Sequence, residues 1–125
     1  MLDFSGLVLN NRDPVYMQIA LYVKKKILAG HVSNGYALPS RREIAAALNI
    51  NPNTAQKAYR LMEEEGYVVT VGNTGSVICI NDEILSRIET ELTENMVKEF
   101  IRSAKDMNLS FKKVFDLISD MWDNI

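Results

Sequence analysis

Apolar residues recur at three- and four-residue intervals over five stretches of this chain and run in short β-rich segments over one, predicting helices around a single hairpin. Residues 1–12 form an apolar lead-in that can dock through Leu2, Phe4 and Leu7. Asp13 is a candidate N-cap with Pro14 at the first helical position, and Tyr16, Ile19, Ala20, Val23, Ile27 and Leu28 then mark a core helix ending at Gly30. Ser40 and Glu43 fit a capping box, so a second helix starts at Arg41 and turns inward Ile44, Ala45 and Leu48. Asn49-Ile50 turns the chain, and Asn51 caps a third helix with Pro52 at its first position, where the missing N–H costs nothing. Gly66 ends that helix; Tyr67–Val71 and Ser76–Ile80 read as strands around a Gly72–Gly75 tip. From Asn81 or Asp82, Ile84, Leu85, Ile88, Leu92, Met96, Phe100, Ile101 and Ala104 predict a long helix to about Met107. Asn108 can end it, and Ser110 caps a last helix bearing Phe111, Val114, Phe115, Leu117, Ile118, Met121 and Trp122.

The fold class that follows is mainly α with a small β-hairpin. A winged helix-turn-helix domain occupies residues 1–80, and a short two-helix dimerisation segment occupies residues 81–125. Two tail helices with this much apolar surface cannot bury it all against each other, and a twofold dimer is the common closed solution. The alternative is that the surface folds back onto the amino-terminal domain.

The third helix carries the candidate chemistry. Ala55, Ala58, Leu61 and Met62 can face inward, leaving Asn53, Gln56, Lys57 and Arg60 together on the outer side. Carboxamides pair with adenine edges, and Lys or Arg with guanine edges or phosphates, so this ridge suits a DNA major groove. Asn51 and Ser40 have equal claims as helix caps, and Tyr59 reads as core. Lys24, Lys25 and Lys26 are expected on the outer side of the first helix, either solvated or at phosphates.

Charge sharpens this picture. The net charge is −2, yet residues 1–80 hold eight Lys/Arg against six Asp/Glu, and residues 81–125 hold six against ten. Between Lys24 and Arg60 seven basic residues face one acid, Glu43. Local field, not overall charge, governs attraction to nucleic acid. No apolar run approaches the roughly 20 residues of a membrane span, and the first residues lack the basic start of a signal peptide, so a cytoplasmic protein is expected. Cys79 reads as a small buried apolar residue. One His31 and one Cys79 supply neither a hydrolytic triad nor a zinc site, and Glu89, Glu91 and Glu94 fall on a solvated helix face, so no catalytic, metal or cofactor residue is assigned. Gly72 and Gly75 lack the Lys-Ser/Thr and following helix of a P-loop and read as turn glycines.

The runs PVYMQIALYVKKKILAG, YALPSRREIAAALNINPNTAQKAYRLMEEEGYVVT and GNTGSV, in this order and spacing, resemble the amino-terminal domain of the GntR family of bacterial transcriptional regulators. The tail, with FIRSAKDMNLSFKKVFDLI, is similar to the two-helix dimerisation segment of the YtrA subfamily. The resemblance implies that Arg42 contacts the DNA backbone, that Asn51, Asn53 and Thr54 open the recognition helix, and that Gln56 and Lys57 lie one turn in. Arg41 sits where the family varies. Pro52 and Gln56 stand where many relatives outside the subfamily have arginine, so base preferences do not transfer. The wing tip, Gly72, Asn73, Thr74 and Gly75, has no basic residue and offers backbone N–H groups and neutral side chains. The resemblance also implies transporter operons as targets, and about 45 tail residues leave no room for the larger effector-binding domain of other branches.

The mechanism expected is a homodimer, paired through residues 81–125, that sets two recognition helices in successive major grooves of a double-stranded inverted-repeat operator and excludes polymerase. Arg41, Arg42, Lys57 and Arg60 supply phosphate attraction; Asn51, Asn53, Thr54, Gln56, Asn73 and Thr74 complete the contact set. No residue cluster nominates a small-molecule effector. The rival reading is a winged-helix protein-interaction module without DNA binding, which Glu63-Glu64-Glu65 and the neutral wing would suit.

Overall fold

The computed structural model describes residues 1–72 and 75–125. Among these residues five α-helices, α1 (Val15–Leu28), α2 (Arg41–Leu48), α3 (Pro52–Glu65), α4 (Asp82–Asp106) and α5 (Phe111–Met121), accompany two antiparallel strands, β1 (Val68–Thr70) and β2 (Ser76–Ile78). A 3₁₀ turn at Trp122–Asn124 follows α5. The chain divides into two compact units, Met1–Ile88 and Glu89–Ile125.

In the first unit α3 is the central element: α1, α2 and β1 all pack on it. Ala55 and Ala58 are fully buried, and such small side chains let neighbouring helices come close. Ile19, Val23, Ile44, Tyr59, Met62, Tyr67 and Ile78 fill the core around them. The hairpin register pairs Val68 with Ile78, Val69 with Val77 and Thr70 with Ser76. Tyr36–Leu38 runs beside β2, with Ile78 N–H donating to Tyr36 O at 2.9 Å and Leu38 N–H to Ser76 O at 3.0 Å. Ile88, 2% exposed, belongs to this core, so the packed unit reaches past residue 80 into the first turns of α4.

Local signals account for most boundaries. Both halves of the Ser40–Glu43 capping box form, at 3.0 Å each. Asn49 ends α2 in the left-handed conformation, and Gly66 ends α3 at φ +89°, its N–H bonding Met62 O and Glu63 O. Asn108 at φ +58° ends α4, and Ser110 Oγ accepts from Lys113 N–H to start α5.

Three expectations need correction. The cap of α1 is Pro14, not Asp13: Pro14 is extended at ψ 134°, and the Gln18 amide reaches back to Asp13 O at 2.8 Å and Asn10 O at 3.1 Å. Lys24 is buried, 6% exposed, instead of lying on the outer side with Lys25 and Lys26. Cys79 is exposed, because β2 ends at Ile78 and strand alternation turns Ile78 inward and the next side chain out. The lead-in docks as expected through Leu2 and Phe4, both buried, with Phe4 against the Tyr22 ring at 5.2 Å between centroids.

The second unit holds the rest of α4 and α5. Its helices leave Met96, Phe100, Ile101, Phe111, Phe115, Leu117 and Trp122 each more than two-fifths exposed.

Candidate nucleic-acid interface

α3 begins with Asn51, whose Oδ1 accepts from Asn53 N–H at 2.7 Å, and Pro52 follows at a position needing no donor. That cap occupies the Asn51 carbonyl. The helical period then separates two faces. Ala55, Ala58, Tyr59 and Met62 are buried, Thr54 and Leu61 are half-buried, and Asn53, Gln56, Lys57 and Arg60 are exposed. The side chains of Asn53, Gln56 and Arg60 make no hydrogen bond or ion pair among the described residues. Lys57 Nζ lies 4.2 Å from the centroid of the Tyr16 ring, a cation–π contact that ties α3 to the first turn of α1 and fixes the direction of the ammonium.

The two arginines of α2 differ. Arg42 is exposed and without an ion pair among the described residues. Arg41 is half-buried: Nη2 bonds Glu63 Oε1 at 2.8 Å, and the guanidinium carbon lies 4.8 Å from the Tyr59 ring centroid. Tyr59 in turn donates its hydroxyl to Pro39 O, and burial raises its phenol pKa far above the ordinary value, so it stays neutral. The Ser40 amide and hydroxyl hold the Glu43 carboxyl below its usual range, keeping an anion at the N-terminus of α2, where the helix dipole favours one.

At the other end of α3, Lys24 Nζ meets Glu65 Oε1 at 2.6 Å and Arg87 donates to Glu65 O. Both contacts were missed in the sequence. Lys24 was detectable, since Ala20, Val23, Lys24 and Ile27 fall on one face at helical spacing. Asn73 and Thr74 lie outside the described residues. The wing positions on either side, Gly72 and Gly75, have φ +50° and +92° and are exposed, consistent with turn glycines. No group of three His, Cys, Asp or Glu that could hold a metal ion occurs among the described residues, and no described helix is long and apolar enough to cross a membrane.

Residues 15–78 match the family described as bacterial regulatory proteins, gntR family. The chain belongs to that family. It is 32% identical over 110 residues to the HTH-type transcriptional repressor YtrA of Bacillus subtilis, covering 86% of this chain and 84% of that protein. It is 31% identical over 103 residues to the uncharacterized HTH-type transcriptional regulator YhcF of the same organism, covering 82% and 85% respectively. A GntR family transcriptional regulator from Listeria monocytogenes has a similar structure, at a TM-score of 0.78 and 27% identity, over 90% of this chain and 98% of that one. The chain is thus a GntR-family, YtrA-like transcriptional regulator with a DNA-binding helix-turn-helix; the family and these relatives are regulators, not enzymes. The winged-helix fold expected from the sequence is borne out by the hairpin and by these relatives.

Proposed function

We propose that this GntR regulator is a homodimeric repressor that binds an inverted-repeat operator, reading each half-site with the outer face of α3. The observation that carries the reading is the division of α3 into a buried alanine-lined face and an exposed face bearing Asn53, Gln56, Lys57 and Arg60. In this arrangement Gln56 and Asn53 offer carboxamides to base edges, while Arg42, Lys57 and Arg60 neutralise phosphates. Thr54 and Asn51 sit at the entry to the groove, with Asn51 already engaged as a cap. Asn73 and Thr74 would meet the backbone from the wing.

Dimerisation is supported by the exposed apolar residues of the second unit, α5 above all. Phe111 and Phe115 stack at 5.6 Å between centroids with exposures of 82% and 54%, too much aromatic surface for an isolated helical pair in water. Residues 81–125 are accordingly the pairing segment, following a DNA-binding domain of residues 1–80 whose core also takes in Ile88 from the start of α4. Repression is supported by the relative named a transcriptional repressor, which matches over most of both chains.

Selection of bound fragments from random double-stranded DNA tests binding, symmetry and spacing together. The expected product is an inverted repeat whose half-sites lie about one helical turn apart, near 10 base pairs. Enrichment of unpaired half-sites, or of nothing, would remove the dimeric operator reading.

A further inference from the structure

Arg41 opens α2, yet its charge is already engaged within the fold. Glu63 Oε1, which accepts from Arg41 Nη2 at 2.8 Å, also accepts from Thr70 Oγ1 at 2.9 Å. Thr70 Oγ1 lies 2.8 Å from Ser76 Oγ across the hairpin. One continuous polar chain therefore joins α2, α3, β1 and β2. Arg41 Nε is buried and has no hydrogen-bond partner among the described residues, so the side chain is committed to this site at the cost of one unsatisfied donor.

The hairpin has two edges, held differently. β2 is fastened by main-chain bonds to Tyr36–Leu38. On β1 only Val68 is buried, whereas Val69 and Thr70 are exposed. Towards the wing tip, the β1 edge is tied to α3 through Thr70 and Glu63. A carboxylate carrying two donors on one oxygen is directional, and the planar guanidinium fixes which way that oxygen points.

We propose that Arg41 and Glu63 are positioning residues: Arg41 aims the Glu63 carboxylate at Thr70 and so sets the inclination of the wing to the recognition helix. Both then meet one duplex without rearrangement. The inference rests on the operator-binding reading and reassigns Arg41 from phosphate contact to wing placement. The two roles make opposite demands on Glu63. If Arg41 holds phosphate, Glu63 is a competing anion and its removal strengthens binding; if Arg41 acts through Glu63, removal weakens binding although the protein has lost a negative charge.

The test uses the full chain and an operator fragment selected for the wild type. Glu63→Ala and Arg41→Ala should each weaken binding about fivefold, and the double variant no more than either alone, since both break one connection. The salt dependence of Arg41→Ala should keep the wild-type slope. Hydroxyl-radical protection should shrink at the wing end of each half-site and persist where α3 lies. Glu63→Gln, whose amide oxygen still accepts both donors, should restore most of the affinity. Tighter binding by Glu63→Ala, multiplying losses in the double variant, or a slope flattened by about one unit in Arg41→Ala would overturn the proposal. In DNA-free protein, exchange of the Val71 amide, which donates to Gly75 O at 3.0 Å, should accelerate in Arg41→Ala and Glu63→Ala but not in Arg42→Ala. Unchanged exchange overturns the proposal independently of DNA. Failure of the wild type to select any fragment instead defeats the operator reading, leaving the exchange result to decide wing placement.

Discussion

Lys24 Nζ lies 2.6 Å from Glu65 Oε1, joining α1 to the last residue of α3. The two partners are unequal, at 7% and 35% side-chain exposure. Losing the lysine leaves a carboxylate that water can reach, whereas losing the glutamate takes a close carboxylate from an ammonium that stays buried near the Tyr67 ring, at 5.4 Å. Glu65→Ala should therefore destabilise by about 2 kcal/mol, and Lys24→Met, which keeps the apolar stem, by about 1 kcal/mol or less. Urea denaturation of both variants checks the order; equal losses would contradict it.

Arg42 has neither an ion pair among the described residues nor burial to explain it. Replacing it with alanine should weaken DNA binding uniformly across sequences and lower the salt slope by about one unit, while leaving thermal stability within about 0.5 kcal/mol of wild type. Filter binding over a salt series, beside a melting curve, separates this from the behaviour expected of Arg41.

The start of α2 should be sensitive to acid. The Glu43 pKa is depressed in the folded chain, so the stabilisation it brings is present above the unfolded carboxylate value and disappears as pH falls through the folded one. Glu43→Gln should unfold with a shallower dependence on pH below about 5, and Ser40→Ala should cost about 1 kcal/mol at neutral pH. Circular dichroism melts between pH 3 and pH 7 would reveal either slope.

Gly66 turns the chain out of α3 at φ +89°, and a Cβ placed there would meet Arg87 Nη2 at 3.7 Å, an ordinary contact. The cost of Gly66→Ala is thus conformational, about 1–2 kcal/mol, and Gly66→Asn should lose less because asparagine tolerates left-handed backbone. A clash-driven loss would instead make asparagine the worse of the two in chemical denaturation.

Self-association should depend on α5. Phe111→Asp, at a side chain 82% exposed, should shift the protein towards monomer in sedimentation equilibrium without melting the first unit. A dimer of undiminished strength would place the interface elsewhere.

Much of this architecture was legible because it is written locally. The Ser40–Glu43 box, the Asn51–Pro52 start and Gly66 are short signals whose partners lie within a few residues, and the polar face of α3 follows from periodicity alone. What escaped the sequence is long-range pairing: Lys24 with Glu65, Arg41 with Glu63, and Lys57 over Tyr16 join residues between 22 and 41 positions apart. A charged side chain looks alike in sequence whether it meets solvent, phosphate or a carboxylate folded against it. Cys79 shows the complementary error: β2 ends at Ile78, two residues before the expected Ile80, and the alternation that buries Ser76 and Ile78 puts the next side chain outside.

The extended lead-in has a practical corollary. Leu2 N–H bonds Ala37 O at 3.2 Å, and Asn10 is clasped by Gln18 through a pair of bonds at 2.9 and 3.1 Å. A fragment trimmed to the helix-turn-helix and hairpin, starting near Pro14, would uncover the hydrophobic floor that Leu2 and Phe4 roof over. Any minimal reading head cut for crystallisation with DNA should keep its first dozen residues.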